Sequence, residues 1–232
     1  MSEESDLLSQ IERSKKLFEE LKREMDKSAS SATVTDETRN LTEEIFIKLR
    51  VCLDKTMYYR LCKNNFSGDL SKIYFPICKN SSDFSSLLKT YGLENLSSTD
   101  PDFIKLISDF QPFSQAGNKS LEILHEKGSK EKHKFLLREV KESNHVKTTF
   151  KSPGGEVSWT VQGVHFGSGV FINGVPINPA TQQPAFIPPT HQLIKNYQVA
   201  IKLSDKDIEI LSLCGSLINS VEKIVKETIN LK

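Results

Sequence analysis

The stretch Val146-Lys147-Thr148-Thr149-Phe150-Lys151-Ser152-Pro153-Gly154-Gly155-Glu156-Val157-Ser158-Trp159-Thr160-Val161 decides the fold class. Val146, Thr148 and Phe150 alternate with polar neighbours, Pro153-Gly154-Gly155 interrupts, and Val157, Trp159 and Val161 alternate again. A period of two on both sides of turn residues predicts an antiparallel hairpin, because successive strand side chains face opposite sides of a sheet. Upstream the apolar residues recur every three or four positions, which is the helical period. Helices followed by strands, closed by one more helix, predict an α+β fold: a mainly helical part over 1–150, a neutral antiparallel part over 151–203, and a C-terminal helix over 204–232 packing back on the core.

Working upstream, the charged run from Lys130 to Asn144 is expected to be helical, resuming a helix over 118–127 that Gly128 interrupts. Asp100 to Phe110, with Pro101 in its first turn, and Ser82 to Tyr91 read as shorter helices. Ser71 to Cys78 reads as an extended run broken by Pro76. Asp36 to Asn64 contains no Pro or Gly, has Thr35 or Asp36 as cap, and places Leu41, Ile45, Leu49, Cys52, Leu53, Thr56 and Met57 on one face, so it belongs in the core. Residues 4–27 carry a stripe at Leu7, Ile11, Ser14, Phe18, Leu21 and Met25. That stripe serves either the chain's own core or, by its heptad spacing, a second copy.

Downstream, Val164 and Phe166 with Val170 and Ile172 predict a second strand pair around Gly167-Ser168-Gly169. Asn173-Gly174 marks a turn, Ile177 to Thr190 a proline-rich connection, and Tyr197 to Leu203 a last strand. Ser204 with Asp207 has the form of a capping box opening the final helix.

Charge follows the same division. Among the 43 residues from Ser152 to Ile194, Glu156 is the only Asp, Glu, Lys or Arg, and six of the nine prolines and six of the eleven glycines lie there. This segment offers little that acts as acid, base or phosphate anchor, so chemistry is expected in the charged helical part. A net charge of +1 with 37% apolar residues excludes a basic nucleic-acid-coating protein, an acidic tail and wholesale disorder. The amino terminus is acidic without an apolar run, and no stretch of about 18 uncharged apolar residues exists to span a bilayer, so a cytoplasmic protein is expected. Cys52, Cys62, Cys78 and Cys214 form no C-x-x-C pair and read as small buried apolar residues. No motif specifies a metal or other cofactor.

Five segments resemble an uncharacterised family of bacterial proteins: Leu49-Arg50-Val51-Cys52-Leu53-Asp54, Phe75-Pro76-Ile77, Gln111-Pro112, Leu124-His125-Glu126 and Lys132-His133-Lys134. The similarity covers roughly residues 40–140. It departs from the family at Glu131, where Asp is usual, and at Lys134, where Arg is usual. Lys lacks the planar fork with which Arg grips carboxylate or phosphate. The resemblance implies a fold and a cluster of residues but no established activity. The chain is also similar to helical HEPN-type domains, many of them metal-independent ribonucleases marked by an Arg and a His close together on one helix, with Arg138 and His145 in those places.

Two readings of the cluster follow. In the functional one, His125 or His133 is a general acid or base, Asp54 holds its tautomer, and Arg50, Lys132 and Lys134, with Gln111, bind a ligand or phosphate. Arg138 joins the catalytic set if the ribonuclease likeness holds. In the structural one, Asp54 and His133 tie helices together and Arg50 neutralises the carboxylate. The leading expectation is a binding or interaction protein, with self-association through the first helix or the neutral segment. The other is a ribonuclease or phosphate-directed enzyme of a defence or toxin system, with RNA as its partner.

Overall fold

A computed structural model describes residues 3–31, 35–114, 119–130, 137–160, 164–203 and 208–231. The chain divides into two compact units, one formed by 1–24, 35–138 and 202–232, the other by 25–34 and 139–201.

The first unit is helical. Its centre is α2 (Asp36–Lys63), which runs for 28 residues without Gly or Pro. Thr35 caps it by accepting a hydrogen bond from the Thr38 N–H at 3.1 Å, and Asp36 and Glu37 favour the positive end of the helix dipole. The helix is buried on more than the predicted face, because Phe46, Arg50, Tyr59, Arg60 and Leu61 join the expected residues. Two of its three buried threonines return their hydroxyls to the carbonyls one turn back, Thr42 to Thr38 at 2.7 Å and Thr56 to Cys52 at 2.8 Å, and the third, Thr38, pairs with the Thr35 hydroxyl at 3.0 Å.

Within this unit α1 (Glu3–Ser31) lies against α2, tied at its edge by Lys55 to Asp6 at 2.7 Å and Tyr59 to Glu4 at 2.6 Å. Leu7, Ile11, Ser14, Leu17 and Leu21 are its buried stripe, with Leu17 in place of the expected Phe18. The heptad seam is therefore occupied inside the chain by these residues. The last helix, α7 (Ile210–Asn230), packs on α2 as expected. Gly215 admits the Phe18 ring, since an added Cβ would stand 3.4 Å from Phe18 Cζ. α7 opens after Glu209, and the proposed Ser204–Asp207 capping box falls outside the described residues.

A 3-10 turn (Leu70–Lys72) leads into an extended segment, followed by α3 (Ser81–Thr90), α4 (Leu96–Thr99), α5 (Pro101–Asp109), α6 (Lys119–His125) and a π turn (Glu126–Lys130). The short α4 carries no sequence signal of its own. Asp100 caps α5 and takes the Arg60 guanidinium in a two-point grip at 2.6 and 2.9 Å, while Arg60 also reaches the Leu231 carbonyl at 3.0 Å. One buried ion pair thus joins α2, α5 and the end of α7.

The second unit is antiparallel β structure. β1 (Leu137–Ser152) is the centre of a three-stranded sheet between β2 (Gly155–Thr160) and β6 (Gln192–Leu203). The hairpin stands as read through Thr160, with Val161 outside the described residues: Thr148 opposes Trp159, Phe150 opposes Val157, and the turn closes between Ser152 and Gly155. The expected helix over 130–144 is corrected, because β1 begins at Leu137. A central strand gains hydrogen bonds along both edges, which outweighs the modest helix preference of a Lys/Glu run. The unit boundary accordingly falls near 139, earlier than the expected 151.

The second strand pair is also displaced. β3 (Phe171–Ile172) pairs with β4 (Val175–Asn178) around Asn173-Gly174, whose φ values of 50° and 79° suit a tight hairpin turn, and β4 pairs in turn with β5 (Gln183–Pro184). Gly167-Ser168-Gly169 lies outside any strand. Phe150, Trp159, Ile172, Val175 and Ile177 form the core of this unit, with Phe166 edge-on to Trp159. Among the described residues no helix is long and apolar enough to cross a membrane.

Candidate functional site

An i, i+4 spacing puts Arg50 and Asp54 on the same face of α2, where they form an ion pair of 2.9 Å from Nη2 to Oδ1. The pair grips one residue of the extended segment 73–78. The Phe75 N–H donates to Asp54 Oδ1 at 2.9 Å, and Arg50 Nη2 donates to the Phe75 carbonyl at 3.0 Å. Gln111, fully buried, does the same for the next residues: its Nε2 donates to the Pro76 carbonyl at 2.8 Å and the Ile107 carbonyl at 2.9 Å, and its Oε1 accepts from the Cys78 N–H at 2.8 Å. A segment with no strand partner thereby has its buried backbone groups paired by side chains. Gln111 is thus a structural clamp, in contrast to its expected binding role, because its amide is spent on backbone.

Above this clamp lies a cleft of about 570 Å³ lined by Ile47, Arg50, Val51, Asp54, Tyr74, Phe75, Ile77, Leu87, Tyr91, His125 and Gly128. Ligand pockets span roughly 300–1,000 Å³. Gly128 is required by close approach: a Cβ there would stand 3.3 Å from Arg50 Cβ, so the π turn can lie on the Arg50 stem. Lys79 bridges Glu122 at 2.8 Å and Glu126 at 3.2 Å and fixes α6 and the π turn to the end of the extended segment.

Burial governs the electrostatics. It raises the Asp54 carboxyl above its ordinary 3.8 despite the neighbouring Arg50 and the Phe75 N–H, which pull it down. It lowers Arg50, and Asp54 only partly restores it. It also raises the Tyr91 phenol, against the Tyr74 backbone N–H and Arg50. Both members of the ion pair are thus shifted toward neutrality, as expected where desolvation outweighs mutual attraction. Oδ1 carries both of the Asp54 bonds, and Oδ2 takes none from the described residues. The Arg50 side chain is 9% exposed, and its Nη1 is one of two buried side-chain nitrogen or oxygen atoms with no protein partner among the described residues.

No protein family, curated protein or solved structure matches this chain. The site is therefore described by its own residues.

The structure brings Arg50, Asp54 and His125 to one cleft, with Phe75 and Ile77 of the Phe-Pro-Ile segment, while Gln111 holds that segment from behind. Lys132, His133 and Lys134 lie outside the described residues. Arg138 and His145 stand on strand β1, so they are not neighbours on a helix as the ribonuclease likeness requires. Sequence reasoning missed Tyr74, Tyr91, Ile47, Val51 and Leu87. Tyr74 directly precedes Phe75-Pro76-Ile77 and was reachable as part of that segment, whereas Tyr91, just past the end of α3, had no local signal. Among the described residues no group of three or more His, Cys, Asp or Glu is arranged to hold a metal ion.

Proposed function

We propose that this protein is a cytoplasmic binding protein and that its ligand occupies the cleft bounded by α2, segment 73–78, the end of α3 and the π turn. The observation that carries this reading is the convergence of three groups with burial-shifted equilibria, Arg50, Asp54 and Tyr91, on a cleft of ligand size. Such convergence is characteristic of binding and catalytic sites. Four unpaired cysteines support a reducing compartment. Likeness to the bacterial family at the same segments is part of this proposal.

The test is a thermal-shift screen of small polar and apolar fragments against the wild type and Leu87→Trp, in which the half-buried Leu87 wall is enlarged to fill the cleft. Stabilisation of the wild type that is lost in Leu87→Trp supports the reading. Equal stabilisation of both proteins contradicts it.

A second reading, the metal-independent ribonuclease, is favoured by one observation: a carboxyl that retains its proton to higher pH is suited to general acid–base work. Incubation with structured and single-stranded RNA in EDTA tests it. Cleavage that disappears in Asp54→Asn or His133→Ala supports that reading, and intact RNA at high protein concentration removes it.

A further inference from the structure

The Arg50–Asp54 pair already recognises amide groups. Its Nη2 and Oδ1 serve the carbonyl and the N–H of Phe75, one donor for one acceptor and one acceptor for one donor. Asp54 also holds a second acceptor, Oδ2, which no described residue engages, since both of its bonds fall on Oδ1. Tyr91 adds a hydroxyl beside the pair, with Arg50 and Asp54 both acting on it electrostatically.

The other walls restrict the ligand further. Arg50 and Asp54 cancel in charge and are bonded to each other, so the pair offers no net charge to attract an anion. Ile47, Val51, Ile77 and Leu87, with the rings of Tyr74, Phe75 and Tyr91, supply apolar faces that suit a flat ring.

We infer that the cleft takes a neutral cyclic amide, whose ring N–H donates to Asp54 Oδ2 and whose carbonyl accepts from the Tyr91 hydroxyl. This rests on the binding reading and names its ligand class.

The experiment uses the full chain labelled with fluorotyrosine and followed by fluorine NMR, the five tyrosine signals being assigned by Tyr→Phe variants. The probes are uracil, dimethyluracil methylated on both ring nitrogens, phenyl phosphate and indole. Uracil is expected to shift the Tyr74 and Tyr91 signals saturably. Dimethyluracil is expected to bind on the order of tenfold more weakly, the loss of one hydrogen bond to a charged group. Asp54→Asn should reduce uracil affinity by a similar factor while leaving indole unchanged. If that variant loses its helical circular dichroism, Tyr91→Phe, read through Tyr74, replaces it and should weaken uracil several-fold. Uracil without effect, or dimethyluracil binding as tightly as uracil, overturns the inference. Indole or phenyl phosphate moving the two signals where uracil does not also overturns it, but leaves the binding cleft standing.

Discussion

Replacing Gln111 by Met tests whether segment 73–78 is held by side chains in place of a sheet. Methionine matches the length of glutamine, so packing is nearly preserved while both donors and the acceptor disappear. Two buried groups of the segment are orphaned, the Pro76 carbonyl and the Cys78 N–H, each bonded at 2.8 Å in the native chain. At roughly 1–3 kcal/mol per buried orphan, the loss is about 2–6 kcal/mol, a large share of a typical domain's stability. The sole Trp, Trp159, lies in the β unit, so its indole is not a local probe of this segment. Urea unfolding followed by far-ultraviolet circular dichroism reports it, and hydrogen exchange at the Cys78 amide locates it. A change below ~1 kcal/mol with the Cys78 amide still protected would refute the clamp.

Other substitutions probe separate parts of the account. Asp100→Ala strips Arg60 of its two-point partner in a site where both side chains are at most 4% exposed, and should cost about 3–5 kcal/mol in urea unfolding. Gly174→Ala places a side chain at φ 79° in the β3–β4 turn and should cost about 1–2 kcal/mol, read by Trp159 fluorescence during denaturation. Asp54, half-buried, and Asp100, buried, should titrate in opposite directions from 3.8 in carboxyl-carbon NMR. Asp54, raised by burial, contributes most to stability below 3.8 and loses that contribution as pH rises through its folded value. For Asp100 burial pushes upward, but Arg60, Asn64 and the Phe103 N–H more than cancel it. Its contribution is therefore complete above 3.8 and lost as pH falls through the lower folded value.

Elements with local causes were legible in the sequence. The Thr35 cap, the uninterrupted core face of α2, Pro101 behind Asp100, and the Pro153-Gly154-Gly155 hairpin each carry their reason within a few residues. The elements that were misread depend on distant partners. The run from Leu137 to Asn144 looks helical alone and becomes a strand because β2 and β6 flank it. Phe166 and Val170 alternate like strand residues yet pack on the β core outside any strand, because Asn173-Gly174 makes the tighter turn. At the site, Arg50 and Asp54 could be paired from their spacing, but their shared grip on Phe75 could not, since the segment's lack of a strand partner is a tertiary fact. The apolar character of the neutral segment was legible as well, and Phe171, Phe186 and Ile187 are its most exposed large apolar residues.

Crystallographic fragment soaking tests the central claim most directly. The account predicts neutral ring compounds between Tyr74 and Tyr91, with a donor on Asp54 Oδ2. Fragments bound repeatedly elsewhere while this cleft stays empty would contradict it.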